Sequence, residues 1–115
     1  NNKYHNEEND DSIVFLLEVC NKKILLMGDA PVKVEKEIIK NKELKNIDIL
    51  KVGHHGSNTS TCKEFIDYTK PTTSIISAGK NNRFSHPRDE VLYILRNTHI
   101  LRTDKRGTIK YNICK

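Results

Sequence analysis

Short apolar runs that feed directly into polar turns, with amphipathic stretches between them, are the feature that most limits what this chain can become. Residues 13–20 and 23–27 are β-branched and apolar, and the short polar pair Asn21-Lys22 between them marks a hairpin. Pro31 then stands where a helix can begin, with Val34, Ile38 and Ile39 at helical spacing among Lys33, Glu35, Lys36, Glu37 and Lys40. A strand over 47–52 follows. Thr61 with Glu64 three residues later reads as a capping box for a helix burying Phe65, Ile66 and Tyr68, closed by Pro71. Residues 73–77 form the next strand, and Pro87 opens a third helix striped by Val91, Leu92, Ile94 and Leu95. The chain closes with a strand over 99–102, a turn over 104–107 and a strand over 108–113. The order is ββαβαβαββ, a layered α/β architecture in which helices cover at least one face of a sheet. Residues 1–11 are a polar leader or loop, and 12–115 the folded part.

Composition narrows the class. Apolar residues make up 36% and charged residues 30%, which fits a folded water-soluble domain. No run approaches the roughly 18 apolar residues of a membrane span. The leader lacks the basic and apolar regions of a signal peptide, so any export signal of a parent protein lies outside these 115 residues. Net charge is +5, with lysines scattered and one short basic cluster over 102–106, which permits an anionic partner without requiring one. Cys20, Cys62 and Cys114 are odd in number and widely spaced, and they read as reduced thiols.

Polar constellations follow the strands: Gly28-Asp29-Ala30, then Gly53-His54-His55-Gly56-Ser57, then the loop ending in Ser85-His86-Pro87. Ligands of open α/β sheets bind at the carboxyl ends of strands, so one sheet edge is expected to gather Asp29, His54, His55 and His86. Imidazole and carboxylate together are donors for Zn²⁺ or Mn²⁺, which activate water for hydrolysis. An extended backbone points adjacent residues to opposite faces, so one of His54 and His55 is a ligand while the other packs or orients. Blander readings stand beside these. Asp29 caps the helix near Pro31, His86 is a turn residue, and His5 and His99 are structural or solvated. Ser57 lacks a G-x-S-x-G elbow, and no phosphate-binding glycine motif occurs.

The series Leu26-Met27-Gly28-Asp29-Ala30, Leu50-Lys51-Val52-Gly53-His54-His55-Gly56-Ser57, Ile75 through Pro87, and Arg102-Thr103-Asp104 with Gly107 resembles the C-terminal half of the metallo-β-lactamase-type domain of ComEC/Rec2 competence proteins. It runs in order from about Asn9 to Ile113, with Phe84-Ser85 where the family more often has Tyr-Gly. The resemblance implies an αββα sandwich with a dinuclear zinc or manganese site, in a family linked to DNA uptake, where the domain is thought to degrade the strand that is not imported. Asp29 matches the bridging carboxylate, His55 the last histidine ligand with His54 as the alternative, and His86 a catalytic histidine contacting phosphate or leaving group. Lys51, Ser57, Asn81 and Arg83 are expected to contact substrate. The H-x-H-x-D-H motif of the superfamily is missing, so the metal site is incomplete and the chain alone is expected to be inactive. Its expected partners are DNA or another phosphodiester, the absent N-terminal half and, in isolation, a second copy. The parent is expected at the membrane, otherwise in the cytoplasm. Alternatives are a hydrolase of other phosphoesters, of the phosphorylcholine type, or a non-catalytic remnant.

Overall fold

The computed structural model describes residues 13–80, 82 and 84–114. The expected polar leader and His5 lie outside them. Strands β1 (Phe15–Val19) and β2 (Lys22–Leu26) form the antiparallel hairpin, in register from Phe15 opposite Leu26 to Val19 opposite Lys22. Its two-residue turn is Cys20-Asn21, one residue earlier than the polar pair suggests. Both turn residues have positive φ, 53° and 64°, as the turn that matches strand twist requires.

The remaining strands are parallel: β3 (Ile49–Lys51), β4 (Thr73–Ile76) and β5 (His99–Arg102), giving the sheet order β1-β2-β3-β4-β5. Helices α1 (Val32–Ile38), α2 (Lys63–Thr69) and α3 (Asp89–Ile94) each connect one parallel strand to its next neighbour. Crossovers of one hand that step in one direction put all three helices on one face of the sheet. The core follows from this. Val34 and Ile38 of α1, Phe65 and Ile66 of α2, and Val91 with Leu95 at the third helix pack on Leu25, Leu50 and Ile76. Each such fully buried side chain contributes about 1.5–3 kcal/mol relative to exposure.

On the other face, alternation along the strands brings up a second apolar set. Ile24, Ile49 and Leu101 are buried outside the helix-side cluster, while Phe15, Leu17 and Val19 remain 52%, 41% and 41% exposed.

The chain end departs from the sequence expectation. After β5 the segment expected as a turn is a single helical turn, α4 (Thr103–Arg106), and residues 108–113 form no strand. Arg102 closes that turn with a two-pronged ion pair to Asp104, at 3.0 and 2.8 Å, and the Thr103 hydroxyl brackets the backbone N–H and carbonyl of Ala78. Cys114 is bonded to Cys20, so two of the three cysteines are a disulfide rather than thiols, and Cys62 alone is free. Cys20 lies in the β1–β2 hairpin turn, so this bond ties the end of the tail to that hairpin.

Candidate functional site

Because β2, β3 and β4 run parallel, the turns that leave them share one edge of the sheet. The chain after β2 turns at Gly28 (φ 60°) and presents Asp29. The chain after β3 enters a tight turn, Gly53–Gly56, whose first amide contact is with the neighbouring loop: His54 N–H donates to the Gly28 carbonyl at 2.7 Å. Gly53 makes that approach easy, since a Cβ there would sit 3.3 Å from the Ala30 carbonyl oxygen and 3.4 Å from Met27 Cβ, a tight fit that small shifts would have to relieve. Gly56 has a stricter role. A Cβ on it would lie 2.5 Å from Pro87 Cβ, its φ is +83°, and its carbonyl accepts from Arg88 N–H at 3.0 Å. The three loops singled out in the sequence therefore meet through backbone contacts.

His54 and His55 are both left-handed, at φ 49° and 57°, so the extended-backbone premise does not hold. They still diverge, for another reason. His54 Nδ1 pairs with the Thr59 hydroxyl at 3.2 Å, whereas His55 Nδ1 meets the Ser77 carbonyl at 2.7 Å. Their ring centroids are 6.3 Å apart. His86 approaches from the third loop with its ring centroid 5.9 Å from that of His54, and Phe84 stacks on it at 5.7 Å. Burial, then the neighbouring His54, His55 and Arg88, push the His86 imidazole below its usual range. Asn82 shapes this loop: its amide accepts from His86 N–H at 2.8 Å and donates to the carbonyls of His86 and Gly79.

Curated relatives match over most of the chain. ComE operon protein 3 of Bacillus subtilis (strain 168) is 44% identical over 106 residues, 90% of this chain and 14% of its own length. Competence protein ComA of Neisseria gonorrhoeae is 30% identical across 93% of the chain, and Recombination protein 2 of Haemophilus influenzae 39% across 74%. The chain belongs to the ComEC/Rec2 family of competence proteins. It spans only 14%, 10% and 16% of the length of the Bacillus, Haemophilus and Neisseria relatives, and no family model matches it.

Within this ComEC/Rec2 segment the other expected site residues fall as follows. Asp29 is exposed and does not cap α1, whose N-cap is Pro31 with no side-chain hydrogen bond. Lys51 is half-buried and alternates with the core residues Leu50 and Val52, which places it on the sheet face away from the helices. Ser57 is buried, and its hydroxyl pairs with Thr59 Oγ1 at 2.9 Å and accepts from Thr59 N–H, so it holds the His54 loop. Asn81 and Arg83 lie outside the described residues. Among the described residues, no three of His, Cys, Asp and Glu stand close enough to hold a metal ion together. The donor types suit a first-row divalent ion, but the number falls short of the three protein ligands of a catalytic zinc site.

Glu35 is the residue that sequence reasoning missed. Its neighbours suggested a solvated face, yet it is fully buried, with Oε2 accepting from Thr61 N–H at 2.5 Å and Oε1 from Cys62 N–H at 2.9 Å. The signal was available, since Glu35 shares the apolar stripe with Ile38 and Ile39 at i+3 and i+4. This carboxylate does the work assigned to a Thr61–Glu64 capping box. Thr61 is left-handed at φ 65°, the N-cap of α2 is Cys62, and that cap has no side-chain bond of its own. Burial raises the Glu35 pKa while the two amides pull it back, and burial with the adjacent Glu35 carboxylate pushes the Cys62 thiol up.

Proposed function

We propose that this chain is the C-terminal portion of a metal-dependent hydrolase domain that cuts phosphodiesters, DNA first among them, in competence-linked DNA uptake. The observation that carries the reading is the junction of three strand-end loops bringing His54, His55 and His86 together beside the Asp29 turn. The names of the relatives, a competence protein and a recombination protein among them, support DNA as the substrate class. In this reading Asp29 and His55 are part of a donor set that histidines outside these residues complete, with His54 as the alternative ligand. Zinc or manganese, if held by that completed set, would supply charge neutralisation at phosphorus and activation of water. His86, held in its neutral form, faces the phosphate or leaving group, and Lys51, Asn81 and Arg83 add positive or hydrogen-bonding contacts to it.

The test is hydrolysis by the full-length protein supplied with Mn²⁺ or Zn²⁺, comparing DNA with a small phosphodiester such as a phosphorylcholine ester. Preferred cleavage of DNA that Asp29→Ala abolishes supports the reading. Preference for the small ester moves it to another phosphoesterase, and absence of cleavage of either, with Asp29→Ala indistinguishable from wild type, leaves a non-catalytic module.

A further inference from the structure

We propose that Glu35 is a positioning residue that locks the His54 loop against the Asp29 turn. The proposal rests on the reading of the histidine cluster as the working end of the fold, and it is carried by a seam of hydrogen bonds between two segments distant in sequence.

One side of the seam is the start of α1, and the other is the loop from Ser57 to Cys62. The Ser60 hydroxyl donates to the Ala30 carbonyl at 2.7 Å, and Val32 N–H donates to the Thr59 carbonyl at 3.0 Å. The Glu35 carboxylate finishes the seam by taking both the Thr61 and Cys62 amides. Without it the buried Thr61 amide and the partly buried Cys62 amide would lack this acceptor, at the mouth of a helix whose cap offers no side chain. Two residues before Thr61, the Thr59 hydroxyl holds His54 Nδ1, and His54 N–H in turn holds the Gly28 carbonyl next to Asp29. A single buried carboxylate thus fixes the register between the loop that orients one imidazole and the turn that presents the exposed carboxylate.

A merely structural role would weaken the fold without singling out His54. The experiment therefore records histidine ring ¹⁵N spectra and amide exchange on the ¹⁵N-labelled 115-residue chain, free of metal and substrate. Glu35→Gln keeps the size of the side chain but turns one acceptor into a donor facing an N–H. Thr69→Val, which removes a buried bond to the Phe65 carbonyl within α2, is the control for destabilisation. Glu35→Gln is expected to change the His54 ring resonances and to speed exchange at Thr61 and Cys62 at least tenfold, with His99 unmoved; Thr69→Val leaves His54 as in wild type. Should Glu35→Gln fail to fold, Glu35→Asp, which keeps the charge but shortens the reach, is read in the same way. His54 resonances unchanged in the folded Glu35 variant, or shifted equally in Thr69→Val, overturn the proposal. Because neither readout needs turnover, failure of the hydrolase reading would appear in the cleavage assay and not here.

Discussion

His55 Nδ1 lies 2.7 Å from the carbonyl oxygen of Ser77, an atom that can only accept, so Nδ1 carries a proton and, in the neutral ring, Nε2 carries the lone pair. This is the arrangement by which ligating histidines are oriented, the far nitrogen tied to a carbonyl and the near one open. His54 differs in kind, because the Thr59 hydroxyl both donates and accepts and leaves the tautomer unset. Histidine ¹⁵N spectra above pH 8 should show His55 in the Nδ1–H form. Observation of the Nε2–H form for His55 would remove the reason to prefer it over His54.

Gly56 and Gly53 should respond differently to alanine. At Gly56 the added methyl meets Pro87 carbon atoms at 2.5 and 2.8 Å on a backbone with φ +83°, so both sterics and conformation oppose it. Gly56→Ala should cost about 1–3 kcal/mol in denaturant unfolding and separate the His86 loop from the His54 turn. Gly53→Ala, with contacts at 3.3 and 3.4 Å, should cost less. Equal losses would mean that the Gly56–Pro87 contact is not tight.

The cluster of imidazoles sets a pH dependence. Burial, then the charges of His54, His55 and Arg88, lower the His86 pKa beneath 6.5, so between that value and its folded pKa the unfolded chain binds more protons than the native one. The contribution of His86 is therefore complete above pH 6.5 and is lost as pH falls through the folded value. Side-chain titration should give His86 a midpoint below 6.5, and His86→Gln should flatten the decline in stability between pH 7.5 and 5.5. A His86 midpoint at or above 6.5 would contradict this.

The Cys20–Cys114 bond closes a sequence separation of 94 residues. Thiol alkylation in denaturant should find Cys62 alone before reduction and all three cysteines after it. Cys114→Ser should lower unfolding stability by about 2–4 kcal/mol, as loop-closure entropy returns to the unfolded chain. Three reactive thiols in the untreated protein would show that the tail is not tied to the hairpin.

The parts legible in the sequence were those that local pattern and burial determine together. Strand and helix positions followed from apolar spacing, and the meeting of Asp29, His54 and His86 loops followed from parallel strands ending at one edge. What escaped depended on partners remote in sequence. Glu35 resembles any solvated helix glutamate until the Thr61 and Cys62 amides are brought over it. Residues 108–113 have strand composition yet form no strand, and no spacing argument pairs Cys20 with Cys114 across an entire sheet. The left-handed backbone of His54 and His55 is imposed by the tight turn between Gly53 and Gly56, which the alternation rule for extended chain does not cover.

In the proposed reading the Asp29 turn and the His55 ring belong to one divalent-metal site completed outside these residues. Its most direct measurement is the metal content of purified full-length protein, wild type against His55→Ala and Asp29→Ala, after equilibration with limiting Zn²⁺ or Mn²⁺. Wild type should retain metal, and each substitution should lower affinity by more than the roughly 10–100-fold that loss of an outer hydrogen-bond partner costs. Wild-type metal retention in both variants, with the fold intact, would contradict it.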